Sequence, residues 1–401
     1  MRQQRDCGAP CGRGDRLAAL RIRLLTYSTK PRGGVVHALA LAEALQQRGH
    51  DMELWALSVD GAGFFREPNV PVHLVPVERR DDEDIDRRIL RYADALAGGL
   101  REAGPVDVEH SEDCLSARSL LSLRTEGRTG EIVRTVHHVD EFRSPVLDAC
   151  QRASILKVDH VICVSRYWAD QLEDQFGAES VVIPNGIDAD RFRAPDLTRA
   201  DARSRFGWGG RQVVLAVGGI EPRKGSLELL RAFALLKETH PNAVLAIAGG
   251  ETLFDYRDYR DAWHGEADRL GLRVDSGADG SDVVAMGRID DPDMPALYRG
   301  ADALAMPSMK EGFGLVAVEA MAAGCPVVLT DLPVFREHFS DGGDCLMVPV
   351  GDIRRLSAAL GEVLGTGARH ATITQGGQTT ASRFSWEAAA EAHERFYAEV
   401  M

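Results

Sequence analysis

MPSMKEGFGLVAVEAMAAGCPVV, residues 306 to 328, reads as the end of one buried strand, a tight loop, a short helix and the start of the next strand. The strand closes at Met306-Pro307-Ser308 and the loop carries Glu311. Gly312 and Gly314 let the backbone come close to a ligand where the helix opens at about Leu315. The free N–H groups of that first turn, together with the helix dipole, make a ready phosphate site. Glu319 lies one turn further on and still faces the same mouth, and Gly324 and Pro326 stop the helix before Val327. Two carboxylates beside an anion site make sense as acceptors for sugar and ribose hydroxyls, because phosphate would repel them.

The same grammar extends in both directions. Upstream, Val213 to Val217 reads as a strand, Gly218 to Gly225 as a loop holding Arg223 and Lys224, and Ser226 to Glu238 as a helix with Leu229, Leu230, Phe233 and Leu236 on one stripe. Strands follow at Ala243 to Ala248, Val283 to Met286, Ala303 to Met306 and Val327 to Thr330. The charged stretch Phe254 to Leu272 reads as a solvated helix. In the first half, Leu20 to Tyr27 is a strand, Ser28 to Gly34 a Gly/Pro loop, and Val35, Ala38, Leu39, Ala42 and Leu45 form a helical stripe. Further strands are expected at Met52 to Leu57, Val70 to Val77, Val106 to His110, Ile132 to His137, His160 to Ser165 and Val181 to Pro184. Asp188 to Arg211 reads as a polar linker. Strands alternating with helices imply an α/β chain of two tandem, doubly wound Rossmann-like domains. Their ligands lie outside the carboxyl ends of the strands, in the facing cleft.

Composition narrows the partners. With 401 residues, 44% hydrophobic and 27% charged, the chain is globular and too long for one ordinary core. A net charge of −14 disfavours broad contact with nucleic acid, so an anionic ligand must meet a local basic spot. Seven cysteines, several in apolar runs, suit buried free thiols in a reducing cytoplasm, and Cys7 and Cys11 lack partners at zinc spacing. No run is long and apolar enough to span a bilayer, and residues 1 to 18 read as a flexible extension.

The motif at 306 to 328 resembles the retaining GT-B glycosyltransferases of the "group 1" family, whose mark is Glu-x7-Glu around an EGFG helix start. Glu311 and Glu319 match it. The resemblance implies that Glu311 contacts the donor sugar and Glu319 the ribose, with Ser308, Gly312, Phe313, Gly314 and Leu315 around the donor. GGIEPRKGSLELLRAF, 218 to 233, is similar to the family's diphosphate loop, which assigns Gly218, Arg223 and Lys224 to it. The family pattern has Arg where this chain has Gly219, so the diphosphate rests on Lys224 with Arg223 in support. Val133 to His138 resembles the strand end bearing a His near the reaction centre, here His137. Gly33 and Gly34 match the N-terminal glycine loop, and FSWEAAAEAHERFY, 384 to 397, the C-terminal helix that crosses back to the N-terminal domain.

The implied organisation is an extension (1–18), an acceptor-side domain (19–190), a donor domain (205–383) and a crossing helix (384–401). The implied chemistry is metal-independent, front-face transfer of a hexose-type sugar from a nucleotide-diphosphate sugar to an acceptor hydroxyl, with no resident cofactor. Asp188-Ala189-Asp190 follows an Asn-Gly turn and is not read as a metal site. A cytoplasmic protein is implied; weak contact with the inner membrane face stays open. The competing readings are a non-catalytic nucleotide-sugar binder and another GT-B enzyme, an epimerase or phosphorylase.

Overall fold

The computed structural model describes residues 18–80, 82–250, 256–275, 280–365 and 367–401. The expected extension, apart from residue 18, and Cys7 and Cys11 with it, lie outside the described residues, as do 254 and 255 of the charged segment.

Two parallel seven-stranded sheets organise the chain. The first holds β1 (Arg21–Thr26), β2 (Asp51–Val59), β3 (Val72–Val77), β4 (Val108–Ser111), β5 (Glu131–Val136), β6 (His160–Cys163) and β7 (Val181–Val182), in the order β3-β2-β1-β4-β5-β6-β7. The second holds β8 (Gln212–Val217), β9 (Ala243–Ala248), β10 (Val274–Asp275), β11 (Val283–Gly287), β12 (Ala303–Met306), β13 (Val327–Thr330) and β14 (Leu346–Val348), in the order β10-β11-β9-β8-β12-β13-β14. The strands are apolar on both faces because helices cover both. Ile22, Leu24, Met52, Leu54 and Val133 pack toward the helix Gly33–Gln47, whereas Leu25, Trp55, Leu57 and Ile132 pack toward Ile85–Leu100 and Cys114–Thr125.

Each sheet reverses its order once, between β1 and β4 and between β8 and β12. Those are the switch points at which an open α/β sheet leaves a crevice. The loops leaving these four strands carry Gly33 and Gly34, Glu112, Gly218 to Lys224, and Ser308 to Gly314.

Three expectations need correction. Asp188 to Arg211 is not an open linker: it forms the helices Ala189–Arg193 and Arg199–Arg205, which bury Phe192 and Ala202 and pack on Met294–Gly300 and Leu315–Ala322. The charged segment does form a helix, Arg257–Arg269, but it is not wholly solvated. Trp263 and Ala267 are fully buried, and Trp263 Nε1 donates to the Ser226 carbonyl at 3.1 Å. The short edge strands β10 and β14 add to the strands expected.

The helix Trp386–Val400 crosses back to the first sheet. Phe396 and Tyr397 join its core, Tyr397 Oη lies 2.6 Å from His110 Nδ1, and Glu394 takes Arg48 and, at 3.2 Å, His50. Burying two such rings contributes roughly 1.5–3 kcal/mol each. The crossing runs against the other connection between the sheets: Ile187 bridges Ser385, and a Cβ on Gly186 would stand 2.3 Å from the Ser385 carbonyl carbon. Only glycine fits there.

Candidate active site

The four switch-point loops enclose a cleft of ≈2210 Å³, larger than a pocket for one small ligand. Its C-terminal wall is stitched together by backbone contacts. Met309 N donates to the Arg223 carbonyl at 2.8 Å, and Gly225 passes so close to Pro307 that a Cβ would lie 2.1 Å from the carbonyl oxygen. This brings Lys224 Nζ to 2.8 Å and Arg223 Nη1 to 3.5 Å from Glu311 Oε1, which also accepts from Ser308 Oγ at 2.8 Å. Burial would raise the Glu311 carboxyl, but the two cations and the hydroxyl hold it down at about 2. Gly218, at φ 127°, leaves the space that the Lys224 side chain fills. An ammonium has three donors, so Lys224 can hold Glu311 and still meet a diphosphate.

Gly314 N-caps the helix Leu315–Ala322 at φ 103° with no side-chain cap, leaving its first N–H groups for an anion. One turn in, Glu319 accepts from the buried Tyr298 hydroxyl at 2.7 Å, and burial, against that bond, raises its carboxyl to about 7. Phe313 is buried against Phe384 and His338.

The N-terminal wall is built from histidines. Glu112 Oε2 stands 2.9 Å from both His37 Nδ1 and His137 Nε2. Burial would raise Glu112, but the two imidazoles hold it well below the usual range. An ionised carboxylate only accepts, so both ring nitrogens carry the proton, and the His137 nitrogen left for the cleft is the acceptor Nδ1. Burial, against the pull of Glu112, lowers His137 to about 4, so it is neutral. His37, Glu112 and His137 are also the one His/carboxylate group among the described residues close enough to hold a metal ion, with ligand atoms within 4.8 Å of one another.

Comparison with known proteins bears on this arrangement. The profile of "Glycosyl transferases group 1" matches residues 199–379, and that of "Glycosyltransferase Family 4" matches 31–191. The phosphatidyl-myo-inositol mannosyltransferase of Mycobacterium tuberculosis is 30% identical over 391 residues, 93% of this chain and 95% of that protein. The chain belongs to the glycosyl transferases group 1 family. It is a glycosyltransferase, and the fold agrees. Sucrose-phosphate synthase from Thermosynechococcus elongatus superposes with a TM-score of 0.79 at 22% identity, over 95% of this chain and 99% of that one. Anabaena HepE, solved with UDP-glucose, gives 0.72 at 20%, over 95% and 99%.

In this glycosyltransferase the residues singled out from sequence all lie around the cleft, with Ser308 reaching it through Glu311. Two of the glycines also make close contacts within the protein. A Cβ on Gly312 would meet the His137 carbonyl oxygen at 2.3 Å, so this glycine permits the two walls to touch; within the N-terminal wall, a Cβ on Gly34 would stand 3.3 Å from the His137 ring. Gly219 has φ 83° and sits 3.0 Å, from its would-be Cβ, to the Gly250 carbonyl, a backbone contact that disfavours any side chain. Asp188 caps the helix Ala189–Arg193 and Asp190 pairs with Arg193. Sequence reasoning missed His37, Glu112, Tyr298 and Trp168, whose Nε1 donates to the Glu311 carbonyl at 2.8 Å. The signal for Glu112 was a run of polar residues, His110 to Asp113, at the end of a buried strand.

Proposed function

We propose that the protein transfers a hexose-type sugar, with retention, from a nucleotide-diphosphate sugar to an acceptor hydroxyl. The observation that carries this reading is Glu311 clamped by Lys224 and Arg223 beside an uncapped helix start. The diphosphate would rest on the helix N-terminus and Lys224, Glu311 would accept from a hydroxyl of the donor sugar, and Glu319 from the ribose. His137 Nδ1 would accept from a sugar hydroxyl at the opposite wall.

In front-face substitution the bond from C1 to the diphosphate oxygen breaks and the bond from the acceptor oxygen forms on the same face. The acceptor proton passes to the departing phosphate oxygen. Lys224 and Arg223 meet the charge that develops there, the role a divalent cation would otherwise fill, and the cleft excludes water. The nucleotide sugar named for HepE and the inositol acceptor named for the mycobacterial relative support a nucleotide donor and a hydroxyl-rich acceptor.

The test is a thermal-shift and donor-hydrolysis panel with UDP-, GDP-, ADP- and dTDP-sugars, with and without EDTA. Stabilisation by one donor with slow release of its nucleoside diphosphate, unchanged by EDTA, is expected. Loss of release in EDTA would overturn metal independence, and binding without turnover across many acceptors would favour a non-catalytic binder.

A further inference from the structure

Arg134 stands in the middle of β5, lines the cleft and is 7% exposed. Its Nε is buried without a partner, its Nη1 is turned onto the neighbouring Thr135 carbonyl, and no carboxylate of the described residues pairs with it within 4.0 Å. Arg23, buried in β1 of the same sheet, shows what a structural arginine looks like here: it reaches Glu109 at 2.8 Å, Glu53 at 3.0 Å and the Gly104 carbonyl at 2.7 Å. A buried guanidinium with an unsatisfied Nε and no carboxylate within bonding reach is costly to fold, which makes a bound anion the natural compensation.

Asp113 feels the charge of Arg134, which opposes the effect of burial on that carboxyl, but the oxygens of Asp113 and Glu112 bond other groups. Asp113 accepts from Leu115 N and Ser116 N on one oxygen and from Tyr27 N on the other, and Glu112 holds the two histidines. Tyr27 in turn takes Arg32 Nη1 at 2.8 Å, and Arg32, also lining the cleft, forms no ion pair with a described carboxylate. Two unpaired guanidinium groups match the charge of a phosphate monoester, close to −2 at neutral pH, and the fork of a guanidinium suits phosphate oxygens.

We propose that Arg134 is the anion-binding residue of the acceptor subsite and that the acceptor is a hydroxyl compound carrying a phosphate. This rests on the transfer reading above. Arg134 and His137 both line the same cleft, so a single acceptor can meet both.

The deciding probe is inorganic phosphate, applied to the full chain carrying both Lys224→Ala and Arg223→Ala so that the cations of the donor's diphosphate site do not report. Phosphate is expected to raise Tm saturably, and the rise to vanish when Arg134→Met is added. Without phosphate, Arg134→Met is expected to melt no lower than its parent, because a buried unpaired charge has been removed; a structural arginine would lower it. A rise that survives Arg134→Met, no rise at all, or a large loss of Tm without phosphate would each overturn the proposal. None of these readouts uses transfer, so failure of the transfer reading shows separately, as absent donor hydrolysis in the wild type. Competition then assigns the source: glycerol 3-phosphate, but not glycerol or glycerate, should displace phosphate if the acceptor is soluble, and vesicles containing phosphatidic acid, a lipid phosphomonoester, should do so if it is a lipid headgroup. Equal competition by glycerate would sink the phosphate assignment.

Discussion

The two walls of the cleft each bury one ionised carboxylate and balance it by opposite means. Glu311 is held by Lys224 and Arg223, two permanent cations; Glu112 is held by His37 and His137, with His137 neutral. The C-terminal wall keeps positive charge, which on the proposed reading serves a departing diphosphate. The N-terminal wall spends its charge on fixing one tautomer and orienting a ring. On that reading, charge for chemistry sits on one side of the cleft and alignment on the other.

That contrast is broken or sharpened by four experiments. Lys224→Ala should have the largest effect, a fall in turnover of roughly a hundredfold or more, the scale of losing one transition-state charge contact; near-normal turnover would remove the basis for the charged wall. Glu112→Gln should act first on stability, costing about 1–3 kcal/mol in chemical denaturation because two imidazole N–H groups lose a charged acceptor, with a smaller loss of turnover than Lys224→Ala. If the two variants lost turnover equally, the division of labour would fail.

The third test uses pH. Burial lowers His137 and His110 to about 4 and His393 to about 3, against an unfolded value near 6.5. Between those values the unfolded chain binds the extra protons, so the stability these groups contribute is present above pH 6.5 and is lost as pH falls toward 4. His393→Leu should shallow the decline of stability between pH 6.5 and 4 by up to about 1.4 kcal/mol per pH unit; an unchanged slope would mean His393, packed against His37 and His110, already holds its second proton in the fold. The smallest effect belongs to Glu319→Gln. With its carboxyl near 7, the wild type resembles the amide at pH 6 and departs from it at pH 8, so donor KM should rise only a few-fold and chiefly at the higher pH. An equal rise at both pH values would show that Glu319 is ionised throughout.

Much of this was open to reading from the chain. The strands Ala243–Ala248, Ala303–Met306 and Val327–Thr330 and the helix start at Leu315 fall where apolar runs and glycines place them, because local punctuation and tertiary packing agree there. The donor wall was readable because Glu311 and Glu319 share one short motif, and Lys224 lies in one loop. The N-terminal wall was not, since His37 and Glu112 stand 75 residues apart and meet only because β1 and β4 are neighbours. The helices hidden in Asp188 to Arg211 were missed for another reason: only Phe192 and Ala202 are buried, too few to set a period. Arg134 did leave a signal, a charge inside an otherwise apolar strand, whose meaning depended on the absence of a partner that no sequence displays.

The crossing helix Trp386–Val400 also sets an order of events during synthesis. Phe396 and Tyr397 belong to the core of the sheet β1 to β7, whereas β8 to β14 and their covering helices are contiguous in the chain. The half translated first therefore leaves the ribosome with an unfilled groove and closes it only when this helix emerges. The half that starts earlier is the one that finishes later, and until then its exposed apolar face is the part of the nascent chain in greatest need of shelter.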